Sequence, residues 1–162
     1  MDKVAVLYDR CTGEEIGNLI GHSEKVTSVL FHPKQGAVLT GSADNTVRLW
    51  TGTSVGYDTS YDIRTHTGEV TGVDLHSSRD YFVSSSLDET WGFHDLHTGS
   101  TLLHLRNDKA LACIQFHPDG LLVGTGTSDA MIQMWDVKKG ENVVSFSGHE
   151  GRVNSISFSE NG

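Results

Sequence analysis

One part of this chain carries the three residue types of a nucleophilic triad. His22, a hydroxyl at Thr40 or Ser42, and Asp44 follow one another in a short stretch, and Trp50 comes next. In hydrolases of that kind a histidine takes the proton of the hydroxyl nucleophile, and a carboxylate holds the histidine in place. The chemistry requires the three side chains in one pocket, so the elements that carry them decide whether it is possible.

The same residue types recur further along the chain, which favours a structural role over catalysis. The later occurrences are His66, Ser84 and Asp88, and then Thr125, Asp129 and Trp135. An active site is not expected once per repeat, whereas a hydrogen-bonded arrangement that fixes the local fold is. A buried polar group without a partner costs about 1–3 kcal/mol, which is enough to select one such arrangement.

These residues belong to an internal repeat. Apolar segments end in a bulky residue at Phe31, Leu75, Phe116 and Phe158, which lie 44, 41 and 42 residues apart. In the first three copies a His follows directly, an Asp comes thirteen residues after the bulky residue, and a Trp or His stands six residues beyond that Asp. A period of this length is typical of the blades of a β-propeller.

Within each repeat the pattern is that of short strands. Residues 46–50 and 131–135 alternate apolar and polar side chains, and the 162-residue chain has 18 glycines against two prolines. No window has the periodicity of an amphipathic helix. We therefore predict an all-β chain that forms an arc of a β-propeller, with four antiparallel strands in each blade.

The repeats also predict where each blade begins and ends. Residues 1–20 would form the last two strands of one blade, residues 21–65, 66–106 and 107–148 three complete blades, and residues 149–162 the first strand of another. Such an arc has about fifteen strands and leaves an apolar face exposed at each end.

Composition excludes several classes of ligand. The net charge is −9 and the longest basic run is the pair Lys138-Lys139, so direct nucleic-acid binding is not expected. No apolar run reaches the roughly 18 residues of a membrane helix, so no membrane partner is expected. His94 and Cys113 lack the spacing of metal ligands, and residues 124–127 lack the lysine of a phosphate loop. Neither a metal nor a cofactor is therefore predicted.

Several positions carry the signature residues of the WD40 family. They are Gly21-His22 and Gly148-His149, the turn residues Asp44 and Asp129, and then Trp50 and Trp135-Asp136. The residues between these anchors resemble the pre-mRNA-processing factor 19 family, in segments 21–33, 81–88, 116–121, 124–127 and 158–162. This second resemblance covers nearly the whole chain in order.

The resemblance implies a nuclear ubiquitin ligase. Its U-box would recruit the conjugating enzyme that carries ubiquitin, and its coiled coil would form a homotetramer. Its seven-bladed propeller would recruit substrates and spliceosomal partners. The chain would then be the recruiting region of a protein that acts in pre-mRNA splicing and DNA repair. Since the sequence contains neither a U-box nor heptads, we expect a fragment that is not catalytic by itself. The alternative is a stand-alone WD40 scaffold or adaptor unrelated to ubiquitin.

The WD40 resemblance also implies a role for the triad residues. In WD40 blades such residues form a buried relay, from the Trp indole to a hydroxyl, then to His, then to Asp. The predicted relay residues are His22, Thr40, Asp44, Trp50, His66, Ser84, Asp88, Thr125, Asp129 and Trp135. His94 replaces Trp in the second repeat and Asn107 replaces His in the third, so both relays should be incomplete. Asp44→Ala should then destabilise the chain more than Asp88→Ala.

Three residues are candidates for contact with a partner protein. Arg48, Trp91 and Arg152 are of the types that anchor protein interfaces. For Trp91 the alternative is that it fills the volume left where His94 replaces the blade tryptophan.

Overall fold

A computed structural model describes residues 2–33 and 35–160 of the chain. Those residues form fourteen β-strands and no helix. The strands are β1 (Val4–Tyr8), β2 (Glu15–Ile20), β3 (Val26–Phe31), β4 (Val38–Ser42), β5 (Val47–Thr53), β6 (Gly56–Ile63), β7 (Val70–Leu75), β8 (Tyr81–Ser86), β9 (Thr90–Asp95), β10 (Thr101–Arg106), β11 (Leu111–Phe116), β12 (Leu122–Thr127), β13 (Ile132–Asp136) and β14 (Glu141–Phe146).

The strands form four antiparallel sheets in which sequence neighbours are also hydrogen-bonded neighbours. Strands β1 and β2 pair alone, and they are followed by three four-stranded sheets, β3 to β6, β7 to β10 and β11 to β14. We refer to these three sheets as the first, second and third blade. The prediction of an all-β propeller arc is confirmed.

The hydrophobic core lies between the blades. Val47 and Leu49 of the first blade pack in one apolar cluster with Val70 of the second. A second cluster contains Trp91 of the second blade and Leu111 of the third. A single sheet has no interior of its own, so burial between sheets supplies the hydrophobic stabilisation, at about 25 cal/mol per Å² of apolar surface.

Backbone N–H groups of the third blade and of the segment after β14 are tied to the preceding blade. The first strand of a blade has a neighbour on one side only, so its remaining N–H groups need other partners. The N–H of Phe116 donates to Oδ2 of Asp74 at 2.7 Å, and the N–H of Phe158 donates to Oε1 of Gln115 at 3.1 Å. Asp74 and Gln115 stand at the same position of successive repeats, directly before the bulky residue.

The strand predicted within residues 149–162 is not formed in the described part of that segment. The N–H of Val153 donates to the carbonyl of Thr127 at 3.1 Å, but a continuous ladder does not develop. A strand requires such a ladder to a neighbouring strand, and one backbone hydrogen bond does not make one. Met1 and residues 161–162, which the predicted boundaries include, lie outside the described residues.

The turn between the second and third strands has the same conformation in every blade. In each blade one residue of this turn has a left-handed backbone conformation. These residues are Asn45 (φ 69°) in the first blade, Glu89 (φ 70°) in the second and Ala130 (φ 73°) in the third. A side chain with a Cβ is strained in this region, glycine is not, and asparagine tolerates it better than alanine does.

We predict that Ala130→Gly stabilises the chain. Removing the Cβ relieves the left-handed strain, so the free energy of unfolding should rise by about 1 kcal/mol, measured by urea denaturation. Asn45→Gly is the matched control and should give no gain, because the amide of Asn45 also donates to the carbonyl of Thr67 at 3.2 Å. A loss of stability in Ala130→Gly would contradict the prediction.

Candidate functional site

The first blade contains a continuous relay of hydrogen bonds. The indole Nε1–H of Trp50, on β5, donates to Oγ1 of Thr40, on β4, at 2.8 Å. Thr40 Oγ1 lies 2.7 Å from Nε2 of His22, which stands in the loop before β3. His22 Nδ1 lies 2.9 Å from Oδ2 of Asp44, in the turn after β4. The four predicted residues thus lie side by side, although they come from four segments of the chain.

The order of donors in this relay is fixed by its two ends. The indole nitrogen of Trp50 can only donate, and the carboxylate of Asp44 can only accept. The neutral ring of His22 therefore carries its proton on Nδ1, directed at Asp44, and its Nε2 accepts the proton of Thr40. The relay therefore holds a neutral imidazole in a single tautomer.

The electrostatics agree with a neutral histidine. Burial lowers the pKa of His22, in opposition to the nearby Asp44. Burial alone would raise the pKa of Asp44, but hydrogen bonds from Thr46, His22 and the N–H of Ser23 hold that pKa well below its usual range. Asp44 therefore remains a carboxylate next to an uncharged ring.

The same geometry excludes catalysis by a triad of Thr40, His22 and Asp44. Thr40 is fully buried, and its hydroxyl already accepts from Trp50 and contacts His22. A nucleophile must reach a substrate with a free lone pair, and a base must be able to take its proton during attack. Thr40 has no path to a substrate, so the arrangement positions strands and loops rather than reacting groups.

The second blade has an equivalent relay, and the prediction that it is incomplete is wrong. His66 Nε2 lies 2.7 Å from Oγ of Ser84, which in turn lies 2.8 Å from Nε2 of His94. At the other end His66 Nδ1 lies 2.9 Å from Oγ1 of Thr90 and 3.4 Å from Oδ2 of Asp88. His94 stands at the tryptophan position and contacts the same hydroxyl that an indole would.

His94 must act as a donor, as tryptophan does. Thr90 gives its only proton to Asp88, so its oxygen accepts from Nδ1 of His66, 2.9 Å away. Nε2 of His66 then accepts the only proton of Ser84, and His94 donates to Ser84 from Nε2. His94 Nδ1 is then an acceptor for the hydroxyl of Thr101, 3.0 Å away. Burial, with smaller effects of His66 and His104, lowers the pKa of His94 to about 3, so it stays neutral.

The relay of the third blade is interrupted. Trp135 Nε1 donates to Oγ1 of Thr125 at 2.9 Å, as in the first blade. The shorter side chain of Asn107 turns back and donates to the carbonyl of Lys109 at 3.0 Å. Asp129 accepts a bond from the threonine hydroxyl two residues before it, at 2.6 Å. Within the described residues the two halves of this relay are not joined.

Two threonines that the sequence analysis missed belong to the relays. Thr46 donates to Oδ1 of Asp44 at 2.6 Å, and Thr90 donates to Oδ1 of Asp88 at 2.5 Å. Each hydroxyl also lies near Nδ1 of the relay histidine. The recurring signal was present in the sequence, because both repeats read Asp-x-Thr at this turn.

The structure separates the three residues predicted to contact a partner. Arg152 is exposed. The side chain of Arg48 is only 15 % exposed, with its guanidinium 5.9 Å from the ring of Trp50 and 3.6 Å from Asp62. The prediction that Trp91 contacts a partner is wrong, because its side chain is wholly buried in the cluster between the second and third blades.

The alternative interpretation of Trp91 is also wrong. Trp91 and His94 lie three residues apart on β9, so their side chains point to opposite faces of the blade. His94 stacks on Phe82 with ring centroids 4.7 Å apart, whereas Trp91 lies 5.8 Å from Trp135 of the third blade. Trp91 therefore fills an interface between blades and does not compensate for the smaller ring of His94.

Repeated four-stranded blades with a buried Trp–hydroxyl–His–Asp relay define a WD-repeat β-propeller. The WD40 family, described as WD domain, G-beta repeat, matches residues 13–51, 58–95, 99–136 and 140–162. The chain belongs to the WD40 family.

The predicted resemblance to pre-mRNA-processing factor 19 is also confirmed. The chain is 48 % identical to pre-mRNA-processing factor 19 homolog 2 of Arabidopsis thaliana, over 100 % of this chain and 32 % of that protein. It is 44 % identical to pre-mRNA-processing factor 19 of Oryza sativa subsp. japonica with the same coverage, and of Mus musculus over 97 % of this chain and 31 % of the relative. The chain spans about a third of the length of the curated relatives it matches.

Two further features concern ligands and membranes. Across residues 2–33 and 35–160, no group of three or more His, Cys, Asp and Glu side chains is arranged to hold a metal ion. The same part of the chain has no helix that is long and apolar enough to cross a membrane.

We predict that Asp44→Ala and Asp88→Ala destabilise the chain to a similar extent. Each carboxylate contacts a relay histidine and a threonine, and accepts a backbone N–H, from Ser23 and Thr67 respectively. Each substitution should therefore lower the free energy of unfolding by about 1–3 kcal/mol in urea. Asp129→Ala is the matched variant without a histidine partner and should cost less. A loss in Asp88→Ala as small as that in Asp129→Ala would contradict a complete second relay.

We also predict that the chain loses stability as the pH falls from 7.5 to 5. The folded-state pKa values of His22, His66 and His94 all lie below their usual value of about 6.5, so the unfolded chain takes up protons that the folded chain does not. Their contribution is present above pH 6.5 and is lost below it. His94 alone should account for about 2 kcal/mol at pH 5.

The test of this pH dependence is the variant His94→Gln, whose amide can donate to Ser84 without titrating. Urea denaturation at several pH values should show a shallower decline for His94→Gln than for the unmodified chain. His149→Gln, at an exposed histidine after β14, is the control and should leave the slope unchanged. Identical slopes for all three proteins would show that His94 does not titrate on unfolding.

Proposed function

We propose that this chain is the partner- and substrate-recruiting WD40 region of a ubiquitin ligase similar to pre-mRNA-processing factor 19, acting in pre-mRNA splicing and DNA repair in the nucleus. The observation that carries the proposal is the identity of 44–48 % over 97–100 % of the chain to proteins with that name. The likeness extends over the segments between the WD40 anchors as well as the anchors themselves, because the matched region covers the whole chain.

The architecture supports a recruiting role. The loops before the first strand and the turns after the second strand emerge at one end of each blade, and the relays hold them against the sheet. A loop that is already ordered loses less conformational entropy when a partner binds. The blades therefore present ordered loops, which is what a binding surface for proteins requires.

The charge supports protein partners over nucleic acid. The chain has 21 acidic against 12 basic residues, and a phosphate-binding surface requires clustered basic side chains. We propose splicing-complex components and ubiquitylation substrates as the partners, with no direct contact to RNA or DNA. Arg152 is the candidate contact among the three residues proposed, because its side chain is exposed.

We propose that ubiquitin transfer depends on a U-box that does not belong to these residues. The relay hydroxyls are fully buried and hydrogen-bonded, so they offer no nucleophile for acyl transfer. The formation of a homotetramer is likewise proposed for a coiled-coil segment outside this chain. The function of the described blades in this scheme is binding alone.

We predict that the tagged chain retains splicing-complex proteins from a nuclear extract, identified by mass spectrometry. Arg152→Glu should reduce their recovery several-fold, because it reverses the charge of an exposed contact. Lys139→Glu, at an exposed turn after β13, is the matched control and should leave recovery unchanged. Retention of a reproducible set of proteins unrelated to splicing would overturn the proposal in favour of a stand-alone scaffold. Equal recovery with Arg152→Glu would remove Arg152 from the contact surface.

A further inference from the structure

A second set of histidines lies at the other end of the blades. His32 and His76 directly follow the first strand of the first and second blade, at the end opposite to the relays. Both are at least half-buried, with His32 only 4 % exposed. The relays do not involve them, and they stand at the same position of successive repeats.

Each of these rings caps the turn of its own blade through Nδ1. The N–H of Gln35 donates to Nδ1 of His32 at 3.0 Å, and the N–H of Ser78 donates to Nδ1 of His76 at 3.0 Å. A nitrogen that accepts a bond carries no proton, so in both rings the proton lies on Nε2. The local turn therefore selects the tautomer.

The Nε2–H of each ring points across the boundary between blades. His32 Nε2 lies 3.1 Å from the carbonyl oxygen of Arg79, in the second blade. His76 Nε2 lies 3.1 Å from the carbonyl oxygen of Gly120, in the third blade. Arg79 and Gly120 both have a positive φ, 70° and 74°, and lie in the equivalent turn between the first and second strands.

The fit around His76 is close. A Cβ on Gly120 would lie 2.3 Å from Nε2 of His76, so a side chain there would collide with the ring. The His76 ring also packs on Phe116 of the third blade in a T-shaped arrangement, with centroids 5.1 Å apart. The ring is thus held by contacts from two blades at once.

We infer that His32 and His76 are inter-blade connectors, each of which binds the turn of its own blade through Nδ1 and the turn of the next blade through Nε2. The relays fix the first and second blades internally at one end, and the connectors set the position of the next blade at the other end. The angle between adjacent blades, and hence the position of the exposed loops relative to one another, depends on both.

The third histidine of the set differs in its surroundings. His117 contacts Phe158 with ring centroids 5.1 Å apart, as His76 contacts Phe116. The N–H of Asp119 donates to its Nδ1 at 3.3 Å, as in the turn after His76, but the carboxylate of Asp119 lies 2.9 Å from the same nitrogen. The first contact favours an unprotonated Nδ1 and the second a protonated one, so this turn does not select a single tautomer. The inference is therefore confined to His32 and His76.

Two substitutions at His76 separate its two bonds. The side chain of His76→Asn can accept the N–H of Ser78 but is too short to reach Gly120, whereas that of His76→Gln can reach Gly120 with an N–H. Native-state amide hydrogen exchange of the intact chain measures the protection of both turns. The amide of Ser78 reports the turn of the second blade, and the amides of His117 and Gly120 report the turn of the third.

We expect His76→Asn to reduce protection at His117 and Gly120 by about five- to tenfold, the equivalent of one hydrogen bond, and to spare Ser78. His76→Gln should give the reverse pattern. The variants His32→Asn and His32→Gln provide a second test should a variant at His76 fail to fold. Their effect is measured as amide protection at Gln35, in the turn of the first blade, and at Arg79, in the turn of the second. His149→Asn, at an exposed histidine, is the control. Equal loss at both turns in Asn and Gln variants, or no change in the next blade, would overturn the inference.

Discussion

Each blade is organised around one buried hydroxyl that must be hydrogen-bonded. Thr40, Ser84 and Thr125 lie on the second strand of their blades and are completely inaccessible to water. An unpartnered hydroxyl in that position would cost about 1–3 kcal/mol, a large part of the stability of a small domain. In the first two blades the donor comes from the third strand and the acceptor from the loop before the first strand. A single oxygen atom thereby fixes three segments that are distant in sequence.

The donor in this arrangement is defined by its chemistry and less by its size. Trp50 and His94 are very different side chains, yet each presents one N–H to the central hydroxyl at 2.8 Å. The replacement of tryptophan by histidine makes the relay sensitive to pH, because an imidazole titrates and an indole does not. The relay of the second blade therefore couples folding to pH through two buried histidines, whereas the relay of the first blade contains one.

The blades depend on one another as much as on their own hydrogen bonds. Most of the apolar core lies between sheets, as in other repeat proteins whose units contact only their neighbours. Polar side chains reinforce this contact where a strand or turn would leave a backbone group unpaired, as Asp74 does for the N–H of Phe116. Because the apolar faces and the polar ties act together, the loops of adjacent blades are held in a fixed relation. A recruiting surface that spans more than one blade needs that property.

The sequence by itself determined the architecture, because the repeat period, the alternation of strands and the recurring His, Asp and Trp are local patterns. It also brought together the four residues of the first relay. What it could not determine was which substitutions a relay tolerates and where single large side chains point. His94 proved to be a working donor and Trp91 an interface residue, because these outcomes depend on the direction of one N–H and on which face of β9 meets the third blade. The bonds from His32 and His76 to the following blade were equally hidden, since their acceptors are backbone carbonyls, which every residue has. Only the stacking of one blade on the next selects the carbonyl that each ring reaches.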